Sequence, residues 1–236
     1  MNNHATHSYV LVHGAWHGSW VWQDVAAGLR AAGHDVTTPT LTGLGERRHL
    51  GKDVGLDTHI EDVLAHIEME GLTNVTLVGW SYGGMVITGV LARIPDKVKA
   101  MIYLDAFVPA DGKALVDYVS ADFSSAWEQP KADNQPLPPL PLGALGVSEP
   151  AHIRLVTSRL VHQPWRTFYQ PVKALKHWPD IPIAYIRCTG FDPSPFGHFE
   201  EALRKDPKVR TDVIDTGHSC MLTEPDETIR LLDKYG

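Results

Sequence analysis

Ser81 stands at the centre of Gly79-Trp80-Ser81-Tyr82-Gly83, with a β-branched run, Val75 to Val78, directly before it and a helix-like pattern directly after. A serine hydroxyl is a weak nucleophile until a base takes its proton and a carboxylate orients that base. The spacing G-x-S-x-G fits a sharp, strained strand-to-helix turn that lifts the hydroxyl clear of a sheet. Gly79 and Gly83 carry no Cβ, so the following helix can pass close to the strand. Gly84 and Gly89 give that helix a small-residue face, expected against the sheet.

The base should come late in the chain. His218, in Asp215-Thr216-Gly217-His218-Ser219, follows the last buried strand pattern and a glycine, where it would lie at the carboxyl end of a strand. His13 is the nearest rival, while His49, His59 and His198 fall on loops or exposed helix faces. A tetrahedral oxyanion needs two backbone donors. The N–H of Tyr82, just after the nucleophile, is one. The N–H of Ala15, in the turn after the first strand, is the other. Gly14 is expected to keep the approach of an acyl carbonyl open. For the orienting carboxylate, Asp105 at the end of the strand after the elbow is preferred, because a strand end is rigid. Asp215 stands well behind it.

The elements that must position these groups can be traced along the chain. Apolar runs at Ser8–Val12, Asp35–Thr38, Val75–Val78, Val98–Leu104, Ile183–Arg187 and Val209–Ile214 predict six strands. Helical patterns near 20–32, 58–70, 196–205 and 224–232 alternate with them, Ile60, Val63, Leu64 and Ile67 forming the clearest stripe. This alternation predicts an α/β fold with a parallel sheet covered on both faces. Right-handed crossovers reverse the winding beside the first and third strands, where ligands bind off the carboxyl ends. Between Val108 and about Trp178 the alternation stops. That stretch is rich in proline and holds Trp127, Trp165, Phe168 and Tyr169, as a lid over a site would. The expected organisation is a core from 1–107 and 179–236 with a cap insertion at 108–178. Gly14, Trp16, Phe107, Trp127 and Trp165 are the candidate pocket residues.

Composition narrows the partners. With 43% hydrophobic residues in 236, the chain can bury a full core. A net charge of −7 and the lack of any large basic cluster disfavour nucleic acid and anionic membrane. No apolar leader or spanning run is legible, which makes a cytoplasmic protein the default. Two cysteines, Cys188 and Cys220, make no disulfide framework and are expected as free thiols. The 13 histidines are scattered without metal-binding spacing, so neither a metal nor a cofactor is expected. Monomer and homodimer both stay open.

Taken together, His13-Gly14-Ala15-Trp16-His17-Gly18-Ser19-Trp20, Gly79-Trp80-Ser81-Tyr82-Gly83-Gly84-Met85 and Gly217-His218 resemble the small α/β-hydrolases related to plant methylesterases and hydroxynitrile lyases. Leu41-Thr42-Gly43-Leu44-Gly45-Glu46-Arg47 and Tyr103-Leu104-Asp105-Ala106-Phe107-Val108-Pro109 are more similar to the bacterial branch that includes carbendazim-hydrolysing esterases. The resemblance covers nearly the whole chain. It implies an α/β-hydrolase fold and a serine hydrolase acting on esters, and sometimes on carbamates or amides. Tyr103-Leu104-Asp105-Ala106 also resembles the haloalkane-dehalogenase segment that carries a glutamate acid at this point, whereas the plant relatives carry theirs after the strand ending here at Arg187-Cys188, where the match puts Phe191 and then Asp192; the resemblance thus implies Asp192 as the alternative acid. The lyases carry a threonine and a lysine where this chain has Gly14 and the run Ser219-Cys220-Met221, which argues against cyanohydrin cleavage. Trp80 stands where these families usually carry histidine.

The expected function is therefore cleavage of a small, apolar or aromatic carboxylic ester through an acyl-enzyme. Carbamate or amide hydrolysis on the same residues is the alternative. Cofactor-free dioxygenation, lyase action and ligand binding without turnover are further readings on the same fold, none favoured by any residue here.

Overall fold

The alternating segments assemble, in this computed structural model, into one six-stranded sheet; residues 6–51, 53–190 and 195–236 are described. The strands are β1 (Ser8–Val12), β2 (Asp35–Thr37), β3 (Val75–Trp80), β4 (Val98–Leu104), β5 (Ile183–Cys188) and β6 (Val209–Ile214). All pair in parallel, in the order β2-β1-β3-β4-β5-β6. The winding reverses between β1 and β3, so their carboxyl ends open side by side. The strand β3 runs two residues further than the β-branched run because Gly79 and Trp80 remain paired with Tyr103 and Leu104.

The helices are α1 (Gln23–Ala31), α2 (Leu56–Met69), α3 (Gly83–Arg93), α4 (Ala121–Ala132), α5 (Pro150–Thr157), α6 (Arg166–Tyr169), α7 (Phe196–Leu203), α8 (Cys220–Thr223) and α9 (Pro225–Tyr235). The start of α2 falls at Leu56, ahead of the predicted Thr58, because the Thr58 hydroxyl turns back to accept the Gly55 N–H at 3.2 Å. Among the described residues no helix is long and apolar enough to cross a membrane.

Two apolar layers sandwich the sheet. On one face Val10, Val12, Leu77 and Tyr103 pack with α2, α3 and residues of the 108–178 stretch. On the other, Tyr9, Leu11, Val78 and Trp80 pack with Val25 and Leu29 of α1 and Leu231 and Leu232 of α9. All of α3 from Gly83 to Leu91 is buried. Its glycines serve two neighbours: a Cβ on Gly84 would strike the Phe107 carbonyl beyond β4, whereas one on Gly89 would strike Ile60 of α2, not the sheet as predicted.

Between β4 and β5 the chain leaves the sheet and carries α4, α5 and α6 over its carboxyl end. A short antiparallel bridge, Leu137 with Gln163, ties the chain after α4 to the chain just before α6. Trp127 and Phe168 are its buried aromatic centre, with ring centroids 4.9 Å apart.

Candidate active site

Three non-glycine residues take left-handed backbone angles at the carboxyl end of the sheet: Trp16 (φ 62°), Ser81 (φ 56°) and Asp105 (φ 43°). Such angles are unfavourable for side chains with a Cβ and persist where surrounding structure imposes them. At Ser81 the imposing contacts are close. A Cβ on Gly79 would lie 2.7 Å from the Gly83 carbonyl oxygen, and one on Gly83 would lie 2.6 Å from that of Val12. The turn after β3 is held by the Ser81 carbonyl, which accepts the N–H groups of Gly84 (3.1 Å) and Phe107 (3.2 Å). Tyr82 then caps α3, whose positive end faces the serine.

Asp105 follows β4 directly and is wholly buried. Its Oδ2 accepts from Nδ1 of His218 at 2.6 Å, and its Oδ1 accepts the Cys188 N–H at 3.1 Å. The second bond fixes the carboxylate plane from the end of β5. A histidine donating Nδ1–H to a carboxylate presents Nε2 as its basic nitrogen. The His218 ring lies between two aromatic walls. Phe196 stacks on it at 5.0 Å and 11°, and Trp80 lies tilted beside it at 5.1 Å. Asp192, the alternative acid, lies outside the described residues. Asp215 instead accepts from the Thr189 hydroxyl at 2.9 Å, away from the imidazole.

Ala15, Trp16, Ser81, Tyr82, Phe107, Trp127 and His218 line one cleft, together with His17, Trp80, Phe168 and Phe196. The cleft measures about 510 Å³ out to its open mouth, and its walls are almost entirely apolar. Trp165, also predicted in the pocket, belongs elsewhere: it lines a separate hollow with Pro136 and Arg166, its indole N–H donating to Asn134 at 2.8 Å. Gly14 lies beneath the cleft. A Cβ there would meet the Trp80 ring at 2.9 Å and Ser81 Cβ at 3.0 Å, so its smallness spares the elbow more than an incoming carbonyl.

Three further histidines, His13, His17 and His59, are buried among backbone and side-chain partners. The His13 Nε2 accepts the Leu41 N–H at 3.1 Å while Nδ1 donates to the Gly14 carbonyl at 2.8 Å, and burial pushes its pKa down to about 3. His17 donates Nδ1–H to the Ala15 carbonyl at 2.7 Å, and burial lowers it to about 4. His59 corrects an expectation: far from an exposed face, it is completely buried. It donates Nε2–H to the Thr42 carbonyl and accepts the Tyr82 hydroxyl at Nδ1, both at 2.8 Å, and burial lowers its pKa as well. Cys188 and Cys220 are free and buried side by side, the Cys188 thiol pushed well up by hydrogen bonding to Cys220 and by burial.

Trp80 and Phe196, which flank the His218 ring, are among the cleft residues that sequence reasoning missed, with His17 and Phe168. Trp80 donates its indole N–H to the His218 backbone carbonyl at 2.9 Å. The available signal was the departure from histidine at that place in the motif.

The model of the alpha/beta hydrolase family matches residues 9–231. The chain belongs to this family. A carbendazim hydrolyzing esterase from Nocardioides sp. (strain SG-4G) is 42% identical over 246 residues, covering 97% of this chain and 99% of that one. A probable esterase of rice, PIR7A, is 37% identical over 109 residues, 45% of this chain and 41% of its own. Among solved structures, an extracellular alpha/beta-hydrolase from a Paenibacillus species, described as sharing structural and functional homology with tobacco salicylic acid binding protein 2, superposes with a TM-score of 0.86. It is 26% identical and the match covers 98% of this chain and 99% of that one. The chain is thus an esterase-type alpha/beta hydrolase, with the six-stranded parallel sheet that its sequence predicts.

Proposed function

We propose that this hydrolase cleaves a small, apolar or aromatic carboxylic ester through an acyl-enzyme on Ser81. The 2.6 Å bond from His218 Nδ1 to Asp105, directly behind the cleft that holds Ser81, is the observation that carries this reading. In the first half-reaction Ser81 Oγ attacks the ester carbonyl and His218 Nε2 takes its proton. Asp105 holds the imidazole in that tautomer and stabilises its positive charge. The N–H groups of Ala15 and Tyr82 bind the tetrahedral oxyanion, with the α3 dipole behind Tyr82. Collapse expels the alcohol, which leaves with the proton from His218. Water then attacks the acyl-enzyme with His218 again as base, and Ser81 is regenerated.

The apolar walls favour uncharged, aromatic or aliphatic groups on either side of the ester. A second reading, carbamate hydrolysis by the same steps, is favoured by the 42% identity to an esterase named for carbendazim. The 108–178 segment acts as the cap that shapes specificity, and two free thiols accord with a reducing, cytoplasmic setting.

The test is Ser81→Ala assayed on short p-nitrophenyl esters, with fluorophosphonate labelling of the wild-type protein mapped to its peptide. Loss of turnover by a factor on the order of 10⁴ or more is expected. Unchanged turnover would end the reading. A methyl carbamate run beside its matched methyl ester separates the two substrate classes.

A further inference from the structure

Every hydrogen-bonding group of Trp16 is engaged by the segment between β4 and β5. Its backbone N–H donates to Gln163 Oε1 at 2.9 Å, its carbonyl accepts the Val161 N–H at 3.0 Å, and its indole N–H donates to the Leu137 carbonyl at 3.2 Å. Leu137 and Gln163 are themselves joined by two backbone bonds of 2.7 and 2.9 Å. Trp16 is the residue after Ala15, and its left-handed φ of 62° orients the Ala15–Trp16 peptide, the unit adjoining the one that carries the Ala15 N–H.

Gln163 is fully buried and satisfied at both ends of its amide. While Oε1 accepts from Trp16, Nε2 donates to the Thr167 hydroxyl at 2.7 Å, and that hydroxyl donates to the Pro164 carbonyl at 2.6 Å. The orientation of the amide is therefore determined by its surroundings. Phe168, next to Thr167, packs on both Trp16 (5.5 Å) and Tyr82 (5.7 Å). One short stretch, Gln163 to Phe168, thus touches the residue beside each of the two expected oxyanion donors, or the donor residue itself.

We propose that Gln163 is a positioning residue for the oxyanion hole: by holding the Trp16 N–H it fixes the Ala15–Trp16 peptide in its left-handed turn, and through Ala15 it restricts where the adjoining Gly14–Ala15 peptide, which carries the Ala15 N–H, can point. The cap thereby builds half of the transition-state cradle as well as roofing the substrate. This inference rests on the serine-esterase reading above.

The experiment compares wild type with Gln163→Met, which keeps the length and removes the acceptor. It measures kcat and KM on p-nitrophenyl butyrate, and the inhibition constant of a matched trifluoromethyl ketone, whose adduct with serine carries the oxyanion. The expected result is a fall in kcat of about 10- to 100-fold, short of the loss of a whole donor. KM should stay within threefold, and ketone binding should weaken by about the same factor as kcat. A purely structural role would move thermal stability without moving kcat and ketone affinity together. Values of kcat and ketone affinity within twofold of wild type, or a kcat loss that ketone affinity does not follow, overturn the proposal. If Gln163→Met does not fold, Gln163→Asn, too short to reach the Trp16 N–H, replaces it with the same two outcomes. Failure of the underlying esterase reading is seen separately, as unchanged turnover in Ser81→Ala.

Discussion

Trp80 donates its indole N–H to the backbone carbonyl of His218, 138 residues further along the chain, while its ring stands beside the imidazole of the same residue. The residue before Ser81 thus grips the loop that presents His218. The turns after β3 and β6, which carry the two groups given the reacting roles in the proposed mechanism, are held to one another by the Trp80 side chain.

Trp80→Phe keeps an aromatic wall and removes this bond. A neutral hydrogen bond contributes about 1 kcal/mol net, and about 1.4 kcal/mol is tenfold in rate. A fall in kcat of roughly five- to tenfold with little change in KM is expected from steady-state assays. Full wild-type kcat would mean that the His218 loop is held without this contact.

Asp105→Asn should retain the fold, since an amide oxygen can still accept the Cys188 N–H, yet fail to hold the required His218 tautomer. Where the equivalent exchange was made in a serine protease triad, kcat fell about 10⁴-fold, and a loss of about 10³ to 10⁴ is expected here. Near-full turnover in this variant would transfer the role to another carboxylate, and Asp192→Asn would then be the informative comparison.

Three buried histidines predict how stability responds to acid. His13 and His17 titrate at about 3 and about 4 in the folded protein against 6.5 when exposed, and His59 is lowered too. Between these values the unfolded chain binds protons that the folded chain refuses, so stability rises with pH across this window and is lost as pH falls from about 6.5 towards 4. Each histidine adds a slope of at most about 1.4 kcal/mol per pH unit. Urea midpoints measured from pH 7 to 4 should fall steadily, and a variant with His17→Gln should fall less steeply. A flat profile over this range would contradict the neutral, buried assignment.

Trp127 and Trp165 should separate cleanly. Trp127 packs against Trp16 and Phe168 in the wall of the cleft, so Trp127→Ala should cost about 3–5 kcal/mol and shift preference towards bulkier esters. Trp165→Ala, in a different hollow, should leave kcat/KM within twofold across the same ester series. Equal effects of the two would mean that the cleft is not where substrate binds.

The sheet, the elbow and the position of His218 were legible because each depends on local signals: apolar runs of strand length, glycines at fixed offsets, a histidine just past a strand. What escaped depends on distant packing. His59 lies four residues before Val63 and eight before Ile67, on the flank of the stripe that buries α2, yet its partner Tyr82 is 23 residues away. Trp80, Phe196 and Gln163 act on residues brought near only by the finished fold. Trp165 shows the converse error, since an aromatic residue in a cap has several hollows to fill and periodicity does not choose among them.

The three bonds from Trp16 to the cap also bear on how such enzymes diversify. A segment joined to the turn after β1 by three bonds at one residue is not an interchangeable cassette. A replacement for this segment would have to bring not only substrate walls but also partners placed like Gln163, Val161 and Leu137, or the Trp16 turn would lose its hold. Changes of substrate are more accessible by point substitution within the resident cap, at positions such as Trp127 and Phe123 that face the cleft without holding Trp16 by its backbone.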